Sequence, residues 1–298
     1  MPSCSSIFVA KLFHMNQNTN TNKFIKAWNK LPILFRAVSS GFLVSTIGVA
    51  AWSVMLLSIP APWSVLPMVI VLWIFWKYFS GRWGSKKSTV TRKENFRKTR
   101  LNPYVWKWGL AGAVCFVAII QASFVITFRI IEFPKAQFTA DYKMLETMPL
   151  WVAWAILIMS AIVAGICEET GYRGYLQTPL EKKYGPLTAI IISSLVFTSI
   201  HLTKNWAYPI IPHILFASTL LGILAYKSGS LIPGIIGHSI LDIFNYSVWW
   251  TGLTGGFKKQ TIFKTGMDAH FVIWILIFIL SLSIFFKAIS RLKRDPSK

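Results

Sequence analysis

The sequence has very little negative charge. Only 10 of its 298 residues are Asp or Glu, and charged residues of both signs make up 14%, against about a quarter in a typical soluble domain. Hydrophobic residues make up 54% of the chain. This composition excludes both a water-soluble globular protein and a disordered chain. The presence of only three cysteines also excludes a disulfide scaffold.

Long apolar stretches with almost no charge occupy most of the chain. A transmembrane helix needs about 20 consecutive apolar residues. The stretch 37–76 is long enough for two helices, and its prolines predict a hairpin of spans at about 37–58 and 63–80. Six further spans are predicted at 108–128, 147–167, 184–203, 205–226, 228–257 and 269–286. The sequence therefore predicts an all-α polytopic membrane protein with about eight transmembrane helices.

These spans divide the chain into four parts. Residues 1–32 form a polar tail, and 33–146 form an N-terminal part with three spans and a basic loop at 81–104. Residues 147–250 contain most of the polar side chains that lie within spans, and we expect this part to be the functional core. Residues 251–298 add a loop, the last span and a basic tail.

The 31 basic residues are distributed unequally between the two ends of the spans. An even number of spans puts both termini on one side, and that side carries 24 Lys and Arg residues against 7 on the other. Since cytoplasmic loops are the more basic ones, both termini and the loop 81–104 are predicted to be cytoplasmic. We expect a multi-pass protein of a bacterial plasma (inner) membrane. The net charge of +21 then reflects topology and attraction to anionic lipid, and no nucleic-acid partner is expected.

Several ionisable side chains lie at or inside the predicted spans, where a charge costs about 2.5–3.5 kcal/mol. Glu169 and Arg173 are four residues apart, so a continuous helix would place them on one face. The resulting ion pair would stabilise that helix. Glu168 is rotated by about 100° from Glu169 and is left to face a cavity. The other members of this group are His201, His238 and Asp242.

The depths of these side chains predict a common site. Counted at 1.5 Å per residue, Glu168, His201, His238 and Asp242 all reach intermediate depth, and they come from three different helices. Polar groups that converge from several helices form a site in the bundle core. Phe197 shares a face with His201 and is interpreted as a packing residue.

Three motifs occur in this order within membrane helices: Glu168-Glu169-x-x-x-Arg173, Phe197-x-x-x-His201 and His238-x-x-x-Asp242. Their order resembles the CPBP family of CaaX proteases and bacteriocin-processing proteins, also called the Abi family. The resemblance covers about residues 147–250 and implies an intramembrane endopeptidase. Its implied substrate is a membrane-associated protein or a small hydrophobic peptide. The last motif position is Asn or Asp in the family, and Asp242 lacks the amide donor of Asn.

The resemblance and the chemistry of peptide hydrolysis together suggest a role for each side chain. Glu168 would act as the general base that activates water, and His201 would orient that water. His238 would donate a hydrogen bond to the developing oxyanion, with Asp242 orienting its ring.

Other mechanisms and functions use the same residues. Glu168, His201 and His238 are also a possible ligand set for a divalent metal such as zinc, with the water on the metal. No other cofactor is expected. An ion-coupled transporter could use the same groups as a relay. A catalytically silent membrane immunity or scaffold protein is the third possibility, because a fold does not fix a function.

Overall fold

The computed structural model describes residues 23, 26–97 and 101–292, and all regular secondary structure in these residues is helical. Most of the predicted polar tail 1–32 and the end of the basic C-terminal tail lie outside the described residues. The α-helices are α1 (Ile33–Ser58), α2 (Val65–Phe79), α3 (Lys86–Asn95), α4 (Pro103–Ile130), α5 (Lys135–Thr139), α6 (Leu150–Glu168), α7 (Gln177–Tyr184), α8 (Pro186–His201), α9 (Ile211–Ser228), α10 (Ile232–Phe244), α11 (Ile262–Thr265) and α12 (Ala269–Arg291).

Two π-helices and two 3₁₀-helices also lie among the described residues. The first π-helix, Glu169–Leu176, joins α6 to α7, and the second, Asn245–Trp250, continues α10. The 3₁₀-helices are Ala140–Thr147 and Asn205–Ile210. The helix that carries Glu168 continues past this residue, with π rather than α geometry.

Within the described part of the chain, five helical stretches are long and apolar enough to cross a membrane: Ile33–Ser58, Pro103–Ile130, Leu150–Tyr184, Ala207–Ser228 and Ala269–Arg291. The predicted spans near 63–80 and 184–203 are the shorter apolar helices Val65–Phe79 and Pro186–His201. The predicted span within 228–257 is α10 with the second π-helix. The prediction of an all-α polytopic membrane protein is confirmed.

The N-terminal hairpin packs on the segment that carries the first motif. Helix α1 lies along α6 and the first π-helix. A Cβ atom on Gly171 would lie 2.5 Å from the carbonyl oxygen of Gly41, so the two backbones approach each other closely because neither residue has a side chain. The hairpin therefore supports the helix from which Glu168 and Glu169 project.

Part of the basic loop 81–104 is folded onto the bundle. Arg92 is buried and donates to the carbonyl oxygens of Tyr78, Trp83 and Ser85. Arg97 donates from Nε to the carbonyl oxygen of Arg173, at 3.0 Å, and its Nη2 forms an ion pair with a carboxylate of α7. These contacts hold the basic end of the bundle against the end of the first π-helix.

An ion pair joins α4 to α12 at the opposite end of the bundle. The buried Arg129 donates to both carboxylate oxygens of Asp268, at 2.9 and 3.0 Å. Asp268 also caps α12 by accepting from the backbone N–H of Phe271. The hydrogen bonds from Arg129, followed by the one from Phe271, lower the pKa of Asp268 to about 2. This contact fixes α4, which packs on α9, α10 and α12.

Candidate functional site

The four candidate site residues line one cavity of about 520 Å³ in the helix bundle. Helix α6 contributes Glu168, α8 contributes His201, and α10 contributes His238 and Asp242. Helix α10 approaches α6 closely at Gly165, where a Cβ atom would lie 3.0 Å from the carbonyl oxygen of Ile235. The structure therefore brings the four side chains together, as their predicted depths indicated.

Glu168 and Glu169 are adjacent in sequence and lie in different environments. The side chain of Glu168 is 15% exposed and faces the cavity, whereas that of Glu169 is fully buried. Glu169 Oε1 lies 3.0 Å from Arg173 Nη1, which is the i,i+4 ion pair that the spacing predicted. The absence of a side chain at Gly234 provides space for this carboxylate, since a Cβ atom there would lie 3.0 Å from Glu169 Oε2.

Arg173 is held on three sides within the bundle. Besides the ion pair with Glu169, its Nη2 donates to Ser218 Oγ at 2.9 Å. Its guanidinium carbon lies 4.6 Å from the centre of the Phe197 ring, a cation–π distance. Phe197 is thus a packing residue, as predicted, and it packs against the charge of the first motif while also lining the cavity.

The ring of His238 is oriented by Glu169. His238 Nδ1 lies 2.9 Å from Glu169 Oε1, and because a carboxylate only accepts, Nδ1 is the donor. The other ring nitrogen, Nε2, lies 3.7 Å from Glu168 Oε2 and 3.6 Å from Asp242 Oδ2, beyond the range of a direct hydrogen bond. The short contact to the ring therefore comes from Glu169 of the first motif, and the orienting role of Asp242 stays a prediction.

His201 lies at the C-terminal end of a short helix. Helix α8 has 16 residues, or about 24 Å, and is therefore shorter than a hydrocarbon core of about 30 Å. His201 Nδ1 lies 2.8 Å from the carbonyl oxygen of Phe197. Since a carbonyl only accepts, Nδ1 donates, and in the neutral ring Nε2 is the acceptor.

The cavity extends from the four side chains toward the end of the bundle that is opposite the basic loop. Lys204, which follows α8, lines it there, as does Trp250 at the end of the second π-helix. The wall between is largely apolar and includes Phe116, Ile120, Phe124, Ile214 and Leu241. Such a passage suits an extended hydrophobic peptide segment.

Asn245 and His213 are among the polar side chains of this cavity that the sequence does not assign to the site. Asn245 follows Asp242 by three residues and lines the cavity beside it. His213 lies near the outer end of its predicted span, where the sequence alone predicts an interfacial position; it lines the cavity farther out, with Nε2 3.0 Å from Thr127 Oγ1. A search of the apolar spans for neutral amides, as well as for ionisable groups, would have found Asn245.

The predicted metal ligands are of the right chemical type, but their arrangement does not suit a metal ion. Imidazole and carboxylate groups are ordinary zinc ligands, and His238 has the carboxylate partner on Nδ1 that such ligands usually have. Among the described residues, however, no three His, Cys, Asp or Glu side chains form a group that could hold a metal. We therefore assign no step of the reaction to a metal.

Residues 149–244 match the family described as type II CAAX prenyl endopeptidase, Rce1-like. The match covers about a third of the chain and contains all three motifs. No curated protein and no solved structure matches the chain. The match confirms the resemblance stated from the motifs and indicates a hydrolase of the CAAX-type endopeptidase class.

Proposed function

Because residues 149–244 match the family of type II CAAX prenyl endopeptidases, we propose that this protein hydrolyses a peptide bond within the membrane, with Glu168 as the general base. The main support is the position of Glu168. Its carboxylate faces a largely apolar cavity, 3.7 Å from His238 Nε2, while the adjacent Glu169 is buried in an ion pair. Only the first of the two acids is placed to contact a substrate.

The reaction begins with water between the carboxylates and imidazoles. His238 Nε2 lies 3.7 and 3.6 Å from Glu168 and Asp242, too far for a direct hydrogen bond, so these groups can bind the water instead of each other. Glu168 takes a proton from this water, and the water oxygen attacks the peptide carbonyl carbon. His201 accepts a hydrogen bond from the water through Nε2 and so orients it.

The tetrahedral intermediate then collapses to two peptides. The oxyanion formed from the carbonyl oxygen returns its electron pair, and the C–N bond breaks. The proton held by Glu168 moves to the leaving amine, which restores the carboxylate. His238 stabilises the oxyanion from Nε2 when its ring is protonated on both nitrogens, and the nearby carboxylates compensate that positive charge.

Cleavage by the protein purified in lipid tests this function. We expect wild-type protein to cleave one or more members of a panel of hydrophobic peptides, including peptides with farnesylated and with unmodified C-terminal cysteines, read out by mass spectrometry. Chelator should leave the rate unchanged if Glu168 acts directly on water. Loss of activity in chelator, with recovery on addition of Zn²⁺, would instead support the metal mechanism. A wild-type protein that cleaves no member of the panel contradicts the proposal for these substrate classes.

The membrane orientation follows from the charge asymmetry of the sequence. With 24 of 31 basic residues on one side, we propose a bacterial inner-membrane protein with both termini and the loop 81–104 in the cytoplasm. The cavity extends toward the other end of the bundle, so the substrate would enter from the non-cytoplasmic side. Measuring the orientation of the protein therefore tests from which side of the membrane the substrate enters.

Cysteine labelling in whole cells tests the orientation. In a Cys4→Ser background, a membrane-impermeant maleimide should label Gln260→Cys and fail to label Val90→Cys, since both positions are exposed but at opposite ends of the bundle. The native Cys115 and Cys167 are buried and should give little background. Labelling of Val90→Cys after cell lysis is the control. The reverse pattern in intact cells would place the basic end, and not the cavity end, outside.

A further inference from the structure

A chain of three polar side chains leads from a buried tryptophan in the bundle to the wall of the cavity. Trp249 Nε1 donates to Gln121 Oε1 at 2.9 Å, and Gln121 Nε2 donates to Asn245 Oδ1 at 2.9 Å. Gln121 belongs to α4 and the other two to the second π-helix. Asn245 follows His238 by seven residues and Asp242 by three, a spacing that puts all three on one helix face.

The indole group at the start of this chain determines the orientation of both amides. An indole N–H only donates, so the group of Gln121 that faces Trp249 must be its oxygen. The NH₂ group of Gln121 then faces Asn245 and requires an oxygen there. Asn245 Nδ2 is consequently on the opposite side of the amide, and none of the described residues accepts a hydrogen bond from it. Asn245 is 8% exposed and lines the cavity with Glu168 and His238.

We propose that Asn245 is a catalytic residue whose Nδ2 donates a hydrogen bond to the developing oxyanion, and that Gln121 and Trp249 are positioning residues that keep this donor directed into the cavity. The inference rests on the proposed peptide hydrolysis. As water attacks, the carbonyl π electrons move to oxygen, and an amide N–H stabilises that charge without transferring its proton. Asp242 has no amide with which to do this, whereas Asn245 places one in the same cavity.

The test compares steady-state cleavage by purified variants. We expect Asn245→Asp to lower kcat by about 10²–10³-fold, as for loss of an oxyanion donor, with KM within about threefold. Asp has the same shape and still accepts from Gln121, so the fold should persist. Asn245→Leu removes the donor without adding charge and should lose a similar factor. Adding Asp242→Asn to Asn245→Leu should recover at least about tenfold, because an amide donor returns to the cavity wall.

A pair of substitutions at Gln121 tests the positioning role. In Gln121→Glu, the ionised carboxylate presents only acceptor atoms to Asn245. The Asn245 amide should therefore turn its NH₂ group toward position 121 and its oxygen toward the cavity. Gln121→Leu leaves the amide without a fixed orientation. We therefore expect kcat to fall further for Gln121→Glu than for Gln121→Leu, with little change in KM. Gln121 does not line the catalytic cavity, so a direct effect on substrate is not expected.

The outcomes separate this inference from the function on which it rests. If wild type cleaves peptide and both Asn245 variants retain kcat within about threefold, Asn245 is not an oxyanion donor, although the hydrolysis proposal stands. If both Gln121 variants slow equally and their thermal unfolding temperatures fall in parallel with rate, the chain of amides is structural and the inference is wrong. If wild type cleaves nothing, the proposed function and this inference both fail.

Discussion

Glu168→Gln should fold normally and lower kcat by about 10²–10⁴-fold, the usual range for removal of a general base. Gln keeps the shape and hydrogen bonding of Glu but does not accept a proton at working pH. The fold should tolerate the change, because the Glu168 carboxylate comes no nearer than 3.7 Å to His238 Nε2 and so makes no direct hydrogen bond to that ring. The measurement is the rate of peptide cleavage by purified protein, with thermal unfolding in detergent to check the fold.

Two companion variants sharpen this test. Glu132→Gln makes the same chemical change at an exposed acid in a loop and should leave kcat at the wild-type value. His201→Ala should lower kcat by a factor similar to that of Glu168→Gln, because the water loses its orienting acceptor. A Glu168→Gln protein that cleaves peptide as fast as wild type would show that Glu168 is not the base, and the enzymatic interpretation of the cavity would fail with it.

The parts of the site that were predictable depend on local spacing. Glu169 and Arg173 are four residues apart, so any helix through both brings them together, and the structure has them at 3.0 Å. The convergence of Glu168, His201 and His238 was also predictable, because the length of each span fixes the depth of its residues. The depth of a residue and the helix face on which it lies both follow from counting residues along a single segment.

The parts that were not predictable are contacts between distant segments. The spacing of His238 and Asp242 suggested that Asp242 orients the imidazole, but the 2.9 Å contact is to Glu169, which is 69 residues away in sequence. The rotation between α6 and α10 decides which acid reaches Nδ1, and helical periodicity contains no information about that rotation. The contact between Arg97 and the carbonyl oxygen of Arg173 was not predictable either. It joins a loop to a distant helical segment, and a basic loop is usually solvated.

Neutral amides were overlooked because the search was for charge. Gln121 lies in a stretch without charged residues, and Asn245 lies in a span whose only charged residue is Asp242. Yet an amide inside a membrane also needs partners, and these two side chains satisfy each other at 2.9 Å. Buried amides therefore indicate function in the same way as buried acids, although their cost of burial is smaller.

Arg173→Ala should be the most destabilising single substitution in the first motif. Arg173 is fully buried, and its removal leaves the fully buried carboxylate of Glu169 without its guanidinium partner. Breaking a buried ion pair in this way costs about 3–5 kcal/mol, and the loss of contacts with Ser218 and Phe197 adds to this. We expect a lower yield of membrane protein, a lower thermal unfolding temperature and loss of peptide cleavage.

The stability and activity losses of Arg173→Ala have separable causes. Adding Glu169→Gln removes the uncompensated charge, so the yield and unfolding temperature should recover toward wild type. Cleavage should stay low, because a neutral amide holds His238 Nδ1 less strongly than the carboxylate that now lies 2.9 Å away. Arg82→Ala, at an exposed position, is the matched control and should change neither quantity. Normal yield and activity of Arg173→Ala would mean that the ion pair contributes little to stability and that His238 is oriented without it.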